Sequence, residues 1–179
     1  MYDKEMLYQD AMDMLLATSR TFFIPITYLE PGLKEAVASA YLSMRAIDEI
    51  EDHPELASAT KINLLREISN LLVQPFKTGK INQLFADHRS SLPEVTLCLE
   101  KWIQLSPKTI LPNILKATSK MASGMADWVA KKWVIKDKND LDNYTYYVAG
   151  LVGVLLSEVW RWYDSIETDE QLAISFGRG

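Results

Sequence analysis

Apolar side chains recur every three or four residues along most of the chain, the spacing of one face of an α-helix. The pattern is clear from residue 3 to residue 17, where Leu7, Met14 and Leu15 share a face. It is equally clear from residue 33 to residue 52, a stretch rich in alanine that lacks glycine and proline. No segment alternates β-branched and polar residues, so the sequence predicts helices and no strands.

The same spacing predicts further helices along the rest of the chain. They begin near Ser58, Pro93, Thr109, Leu141 and Thr168. Pro25, Pro31 and Gly32 predict a loop between the first two helices, and residues 136–140 form a charged turn. No linker long enough to separate domains interrupts the series. Residues 1–179 are therefore predicted to form a single all-α domain, with long helices around a core.

Composition and charge narrow the function classes. The chain has 179 residues, 48% of them hydrophobic, and a formal net charge of -5. No basic patch dominates, so a nucleic-acid partner is not expected. A single cysteine rules out a disulfide within the chain and fits the reducing cytoplasm, which is the predicted location.

Membrane signals are weak. The longest uncharged run, residues 144–157, is shorter than the roughly 20 apolar residues of a bilayer span and predicts a buried core helix. The polar N-terminus does not resemble a secretory signal. Peripheral contact with a membrane stays open, because a greasy substrate could enter from lipid. The sequence leaves the oligomeric state open.

A cluster of carboxylates is the first candidate for chemistry. Asp48 and Asp52 lie four residues apart near the end of the second predicted helix, so their side chains share a face about 6 Å apart. Like charges at that spacing, and anions at a helix C-terminus, both destabilise the helix. Arg45 on the same face offsets part of the charge, and Mg²⁺, which prefers oxygen ligands, could offset the rest. The alternative is a solvated acidic helix end with an internal Arg45–Asp48 pair.

A second candidate is a phosphate contact formed by Ser19, Arg20 and Thr21. An arginine fork and two hydroxyls can hold a phosphate group. The alternative is an ordinary cap and turn, because serine and threonine favour such positions. Together with the carboxylate cluster, the segment supplies what a diphosphate requires, namely donors, cations and metal-binding carboxylates.

The third element is the uncharged helix. Gly150 and Gly153 each cost about 1 kcal/mol against alanine in a helix, which suggests close approach by another helix or by a ligand. Val148 and Leu151 could line a slot for a hydrocarbon chain. Tight packing between helices at the small residues explains the same pattern equally well.

Four segments of the sequence, taken in order, resemble the squalene/phytoene synthase family. They are Thr18-Ser-Arg-Thr-Phe22, Tyr41-Leu-Ser-Met-Arg-Ala-Ile-Asp-Glu-Ile-Glu-Asp52, Lys120-Met-Ala-Ser-Gly-Met-Ala-Asp127 and Tyr144-Thr-Tyr-Tyr-Val-Ala-Gly-Leu-Val-Gly153. The resemblance covers nearly the whole chain. It implies the all-helical isoprenoid synthase fold around a central cavity, with Mg²⁺ at its mouth and a prenyl diphosphate, most often farnesyl diphosphate, as substrate.

The resemblance also implies roles for individual residues. Asp48 and Asp52 match the aspartate motif that holds Mg²⁺ in the family. The diphosphate and prenyl contacts of the family match Thr18, Ser19, Arg20, Thr21, Phe22, Tyr41, Arg45, Tyr144, Val148 and Gly153. A second aspartate motif of the family would follow shortly after Gly179. We therefore expect that the sequence holds about two-thirds of the fold and that the C-terminal helices lie outside it.

Three functions fit this pattern. All begin from a prenyl diphosphate, which reacts once Mg²⁺ and cationic side chains stabilise the departing diphosphate. Capture of the allylic cation by water would give farnesol, and the single visible aspartate motif favours this prenyl diphosphate phosphatase activity. Capture by a second farnesyl diphosphate would give head-to-head condensation to squalene or dehydrosqualene. The third function is a non-catalytic helical module that binds prenyl lipids or a partner protein.

Overall fold

A computed structural model describes residues 3–166 and 169–177. Within these ranges all regular secondary structure is helical and there is no strand, as the sequence predicts. The α-helices are α1 Lys4–Thr18, α2 Arg20–Thr27, α3 Leu33–Glu51, α4 Ser58–Val73, α5 Lys80–Leu84, α6 Glu94–Leu97, α7 Leu99–Leu105, α8 Leu111–Ala130, α9 Lys138–Thr145, α10 Leu151–Asp164 and α11 Glu170–Gly177. A 3₁₀ turn covers Ala86–His88, and a π-helical turn, Tyr146–Gly150, joins α9 to α10.

Helix α3 is the centre of the bundle. It packs against α1, α2, α4, α6, α7, α8 and α10. Its alanines let these neighbours approach closely, and Leu42, Ile47 and Ile50 are fully buried among them. A second extensive contact joins α4 to α8. Because the bundle surrounds α3 on several sides, the C-terminal end of that helix is held in a fixed position.

Helix α2 occupies part of the predicted loop. Ser19 accepts a hydrogen bond from the Phe22 amide at 3.2 Å and caps the helix, and Ile26 is buried against the core. Pro25 lies inside α2, near its end, where little of the hydrogen-bond ladder follows it. The loop predicted from Pro25 onward begins only after Thr27, because a cap and an apolar anchor outweigh one proline.

Several other helix boundaries differ from the predicted ones for local reasons. Helix α4 starts at Ser58, as predicted, and Ala57 at its N-cap position provides no side-chain cap. The helix predicted to begin near Pro93 is divided at Cys98 into α6 and α7. The predicted charged turn is shorter, because Asp137 caps α9 through the Asp140 amide at 2.9 Å. Thr168, the expected start of the last helix, lies outside the described residues.

No helix in the described ranges has both the length and the apolar character needed to cross a membrane. The uncharged run instead continues from the end of α9 through the π-helical turn into α10, where its residues Leu151 and Leu155 are buried. The predicted helix forms along this run, and most of its residues are only partly buried.

Candidate active site at the end of α3

One stripe of polar side chains follows the surface of α3. Tyr41, Arg45, Asp48 and Asp52 are spaced by four, three and four residues, so they project from the same side of the helix. The first three are partly buried, and Asp52 is exposed at the C-cap position. Its amide donates to the Asp48 carbonyl at 2.9 Å, which keeps both aspartates in one helical register.

Arg45 compensates part of the negative charge, as the spacing predicts. Its Nη1 donates to Asp48 Oδ2 at 2.8 Å, and its Nη2 bonds Glu49 Oε1. The Nε of Arg45 is buried and has no hydrogen-bond partner among the described residues. The arginine is therefore fixed over the stripe by two carboxylates, and one N–H of its fork is left unused.

The aspartates remain under electrostatic strain. Burial raises the pKa of Asp48 above its usual value, and the charge of Asp52 raises it further, against the opposing effect of Arg45. One guanidinium shared with Glu49 therefore does not neutralise the pair. A second cation beside Asp48 and Asp52 would relieve the repulsion.

Glu51 is a neighbouring carboxyl that the sequence analysis did not single out. It is 1% exposed, and its Oε1 accepts a hydrogen bond from Trp133 Nε1 at 2.8 Å. Burial raises its pKa to about 7, the Trp133 bond opposes that rise, and Asp52 and Asp48 add to it. The partner lies in the turn after α8, so only the tertiary structure reveals the contact.

Lys61 closes this corner of the bundle. Its Nζ donates to the Glu51 carbonyl oxygen at 2.6 Å and lies 5.4 Å from the centre of the Trp133 ring. Trp133 itself has a φ of 52°, and Lys132 before it has a φ of 54°. Two consecutive left-handed residues of this type are uncommon and turn the chain sharply, which aims the indole at Glu51.

Tyr144 joins the acidic end of α3 from α9. Its ring packs edge-on against Trp128, with 5.4 Å between ring centres. Burial raises the pKa of the Tyr144 phenol, and the charges of Glu51, Asp52 and Asp48 raise it further. The phenol therefore lies within electrostatic reach of the carboxylates, and its contact with a prenyl chain stays a prediction.

The segment from Thr18 to Phe22 reaches the stripe through an aromatic contact. Phe22 and Tyr41 pack with 5.6 Å between ring centres. Thr18 Oγ1 donates to the Met14 carbonyl at 2.7 Å, and Ser19 Oγ serves as the cap of α2, so both hydroxyls have local structural roles. Arg20 and Thr21 are exposed at the start of α2. Their contact with a diphosphate stays a prediction.

The predicted pocket wall lies on the π-helical turn and α10. Val148 is partly buried against the core. A Cβ added at Gly153 would lie 2.7 Å from the Ala173 carbonyl oxygen, so this glycine admits the backbone of α11. Tight packing between helices therefore explains Gly153 in the described residues, and its role beside a prenyl chain stays a prediction.

A second close approach was not anticipated. A Cβ added at Gly124 would lie 2.2 Å from the Tyr147 ring, so this glycine in α8 forms the seat of that ring. Lys120, one helical turn earlier, bonds the hydroxyl of Tyr146 and lies 4.7 Å from its ring centre. The Lys120–Asp127 segment thus shapes the π-helical turn, a role visible only once the two elements are packed together.

The carboxylates fit part of a Mg²⁺ site. Magnesium is commonly held by one or two carboxylates, with waters and substrate phosphates completing its shell. Asp48 and Asp52 provide two such groups on one helix face, and their mutual repulsion favours a divalent cation. No group of three or more acidic, histidine or cysteine side chains in the described ranges forms a complete protein cage. The two carboxylates therefore fit a metal ion whose coordination shell is completed by oxygen atoms of the substrate.

Comparison with known proteins links this arrangement to one family. The model of the family described as "Squalene/phytoene synthase" matches residues 15–179. The squalene synthase of Dictyostelium discoideum is 34% identical over 165 residues, which cover 89% of this chain and 36% of that protein. Squalene synthase ERG9 of Candida albicans is 35% identical over 163 residues, 88% of this chain and 36% of the relative. The chain thus spans about a third of the length of these curated relatives.

Solved structures give the same result for the fold. The structure of TcSQS with the ligand BPH1237 superposes with a TM-score of 0.74 at 25% identity, covering 96% of this chain and 50% of that one. TcSQS with the ligand E5700 gives 0.75 at 26% identity, with 98% and 51% covered. The bundle is therefore the isoprenoid synthase fold. From the match over residues 15–179, the chain belongs to the squalene/phytoene synthase family.

Proposed function

We propose that this protein takes part in the Mg²⁺-dependent ionisation of a prenyl diphosphate, farnesyl diphosphate in the first instance, followed by head-to-head condensation. The observation that carries the proposal is the stripe on α3, which combines the Arg45–Asp48 pair with the repelling Asp48 and Asp52 carboxylates. The family is one of prenyltransferases, so an enzyme is favoured over a non-catalytic module.

The capture of the cation by water, expected from the sequence, finds no support. The matched relatives are squalene synthases, whose name denotes formation of squalene. The expectation of hydrolysis rested on a single visible aspartate motif. Because the chain spans about a third of those relatives, a second motif elsewhere in the protein is compatible with all observations. Condensation is the better proposal.

The side chains of this chain supply distinct parts of the mechanism. Asp48 and Asp52 would hold Mg²⁺, which supplies positive charge to the leaving diphosphate when bound. Arg45 places its positive charge beside them through its bond to Asp48, and Arg20 adds a second cation from the exposed start of α2. Tyr144 lies beside the acidic end, and the Phe22–Tyr41 pair lies one helical turn before Arg45 on the same stripe. Aromatic walls exclude water from an allylic cation, which favours capture by an alkene.

The test pairs product analysis with metal binding. The protein is incubated with Mg²⁺ and farnesyl diphosphate, and the products are separated by chain length. We expect a C30 hydrocarbon or its cyclopropyl precursor, and Asp48→Asn with Asp52→Asn lowers turnover roughly a hundredfold or more. The same variant loses the Mg²⁺ binding measured by calorimetry in the presence of inorganic diphosphate, while its helical circular dichroism is kept.

A matched control separates site chemistry from net charge. Asp13→Asn with Asp87→Asn removes two exposed carboxylates outside the stripe and should leave turnover and Mg²⁺ binding unchanged. Farnesol as the main product would overturn condensation in favour of hydrolysis. Full turnover in the Asp48, Asp52 variant would overturn the metal role.

A further inference from the structure

The segment of residues 131–138, between α8 and α9, has a composition unlike the rest of the molecule. It holds Lys131, Lys132, Lys136 and Lys138 against a single acid, Asp137, in a chain whose formal net charge is -5. All four lysines are exposed. Basic residues are therefore enriched in this segment, which we call the lysine loop.

Between the lysines the loop exposes three consecutive apolar side chains. Trp133, Val134 and Ile135 are 38%, 51% and 44% exposed. No other group of three successive large apolar residues is exposed in the described ranges. Exposed apolar groups ringed by like charges mark a surface that meets a partner.

The loop is held in a defined shape. The Trp133 amide donates to the Trp128 carbonyl at 3.0 Å, and the indole bonds Glu51. Asp137 caps α9 at the other end. Because both ends are fixed, Val134 and Ile135 are presented outward without ordering the chain first, which lowers the entropic cost of contact.

We propose that the lysine loop docks the protein on the surface of an anionic lipid bilayer, with Val134 and Ile135 entering the interface and the lysines facing the lipid phosphates. Charge complementarity favours this occupant, because each lysine near an anionic surface contributes to binding and the apolar pair adds burial that a soluble polyanion cannot offer. The exposed apolar residues in and just after α2, Phe22, Ile24 and Tyr28, are not consecutive and have a single neighbouring cation, Arg20, instead of four lysines.

Docking through this loop has a consequence for the site. Trp133 connects the loop directly to Glu51, which precedes Asp52 on α3. The acidic end of α3 therefore lies beside the bilayer contact. The benefit of that placement, delivery of a greasy substrate or removal of a product from lipid, rests on the proposed function, whereas docking itself requires no turnover.

Co-sedimentation with vesicles tests the proposal. The full chain is mixed with vesicles of equimolar phosphatidylglycerol and phosphatidylcholine, or of phosphatidylcholine alone. We expect binding to the anionic vesicles, weakened by salt. Lys132→Gln with Lys136→Gln lowers the partition coefficient about fivefold for each lysine. Val134→Ser with Ile135→Ser lowers it about tenfold.

Matched controls come from exposed positions elsewhere. Lys77→Gln with Lys80→Gln, at and just before the start of α5, and Val73→Ser with Leu172→Ser should each change partitioning by less than about twofold. All variants are first shown to keep the circular dichroism of the parent. Absence of binding to anionic vesicles, or equal losses in the control variants, would overturn the proposal.

Two further outcomes are also decisive. If Val134→Ser with Ile135→Ser binds as the parent does, the lysines act as a plain electrostatic patch and insertion is wrong. If the chain binds double-stranded DNA as tightly as anionic vesicles, the partner is a polyanion and the bilayer is wrong.

Discussion

Two glutamates of this bundle are equally buried but differ in how many hydrogen bonds their carboxylates accept. Glu51 and Glu100 are each 1% exposed. Glu100 Oε1 accepts from the Ile81 and Asn82 amides at 2.7 and 3.2 Å, and its Oε2 accepts from the Gly79 amide at 2.7 Å and from the Asn82 side chain at 3.2 Å. Glu51 receives one side-chain hydrogen bond, from Trp133, and has Asp48 and Asp52 nearby.

The number of hydrogen-bond donors distinguishes a carboxylate with a structural role, Glu100, from one that lies beside a candidate site, Glu51. Four donors satisfy Glu100 and make it the N-terminal cap of α5, where the helix also favours negative charge. Glu51 is buried with one donor and with like charges on the same helix end, so its pKa rises to about 7. Concentrated, poorly compensated charge of this kind is typical of sites that bind a cation or a substrate.

The largest expected effect is the loss of the cap at α5. Glu100→Gln replaces one acceptor oxygen with an amide group that faces N–H donors, leaving buried donors unpaired. We expect a loss of about 3 kcal/mol in the free energy of unfolding, measured by urea denaturation. Glu67→Gln, an exposed position in the middle of α4, is the control and should stay within about 0.5 kcal/mol. A loss as small as the control would show that the four bonds contribute little.

The next effect concerns Glu51 and depends on pH. Its pKa in the folded protein lies above the usual value, so the folded state binds the proton more tightly than the unfolded chain does. Its contribution is fully present below about pH 4, the range of an unperturbed glutamate, and is lost as pH rises through about 7. The parent protein should therefore lose stability across this interval.

Glu51→Gln should remove that part of the pH dependence. The amide oxygen still accepts the Trp133 bond, and no charge has to be buried. In metal-free buffer at pH 8 we expect the variant to exceed the parent by about 2 kcal/mol in unfolding free energy, with the difference narrowing as pH falls toward 5. Thermal unfolding measured from pH 5 to 8 checks this, and parallel curves for both proteins would contradict it.

The smallest effect compares two arginine pairs. Arg45→Met leaves Asp48 and Glu49 uncompensated and should cost about 1 kcal/mol, reduced by the solvent that reaches a third of the pair. Arg66→Met removes a more exposed pair with Asp127, at 3.4 Å, and should cost no more than about 0.3 kcal/mol. Urea denaturation at low salt measures both. Equal costs would show that the stripe on α3 is an ordinary solvated surface.

Much of the fold could be predicted because helices are encoded locally. The apolar period and the alanine content of residues 33–52 predict α3 almost to the residue, and Asp3 caps α1 where the pattern begins. The loop predicted at Pro25 was wrong, because helix α2 continues to Thr27. The cap at Ser19 and the burial of Ile26 stabilise the helix by more than the missing amide of Pro25 destabilises it. The π-helical turn was invisible as well, since no apolar period marks an extra residue within a turn.

The candidate site was predictable only where its groups lie on one helix. The Arg45–Asp48 pair follows from a three-residue spacing. Glu51 was missed because its partner Trp133 is distant in sequence and reaches it through a left-handed turn. The seat of Tyr147 on Gly124 likewise depends on how α8 packs against the π-helical turn.

The π-helical turn at Tyr146–Gly150 changes the direction in which the side chains of α9 point relative to those of α10. One inserted residue rotates everything before it by about 100° relative to everything after it. Tyr144 can thereby face Trp128 and the acidic end while Leu151 and Leu155 face the core. Removing a single residue here would leave a regular helix and an intact core, but would swing Tyr144 a quarter-turn or more away from the carboxylates. The alignment of the two faces therefore depends on chain length at this point as much as on residue type.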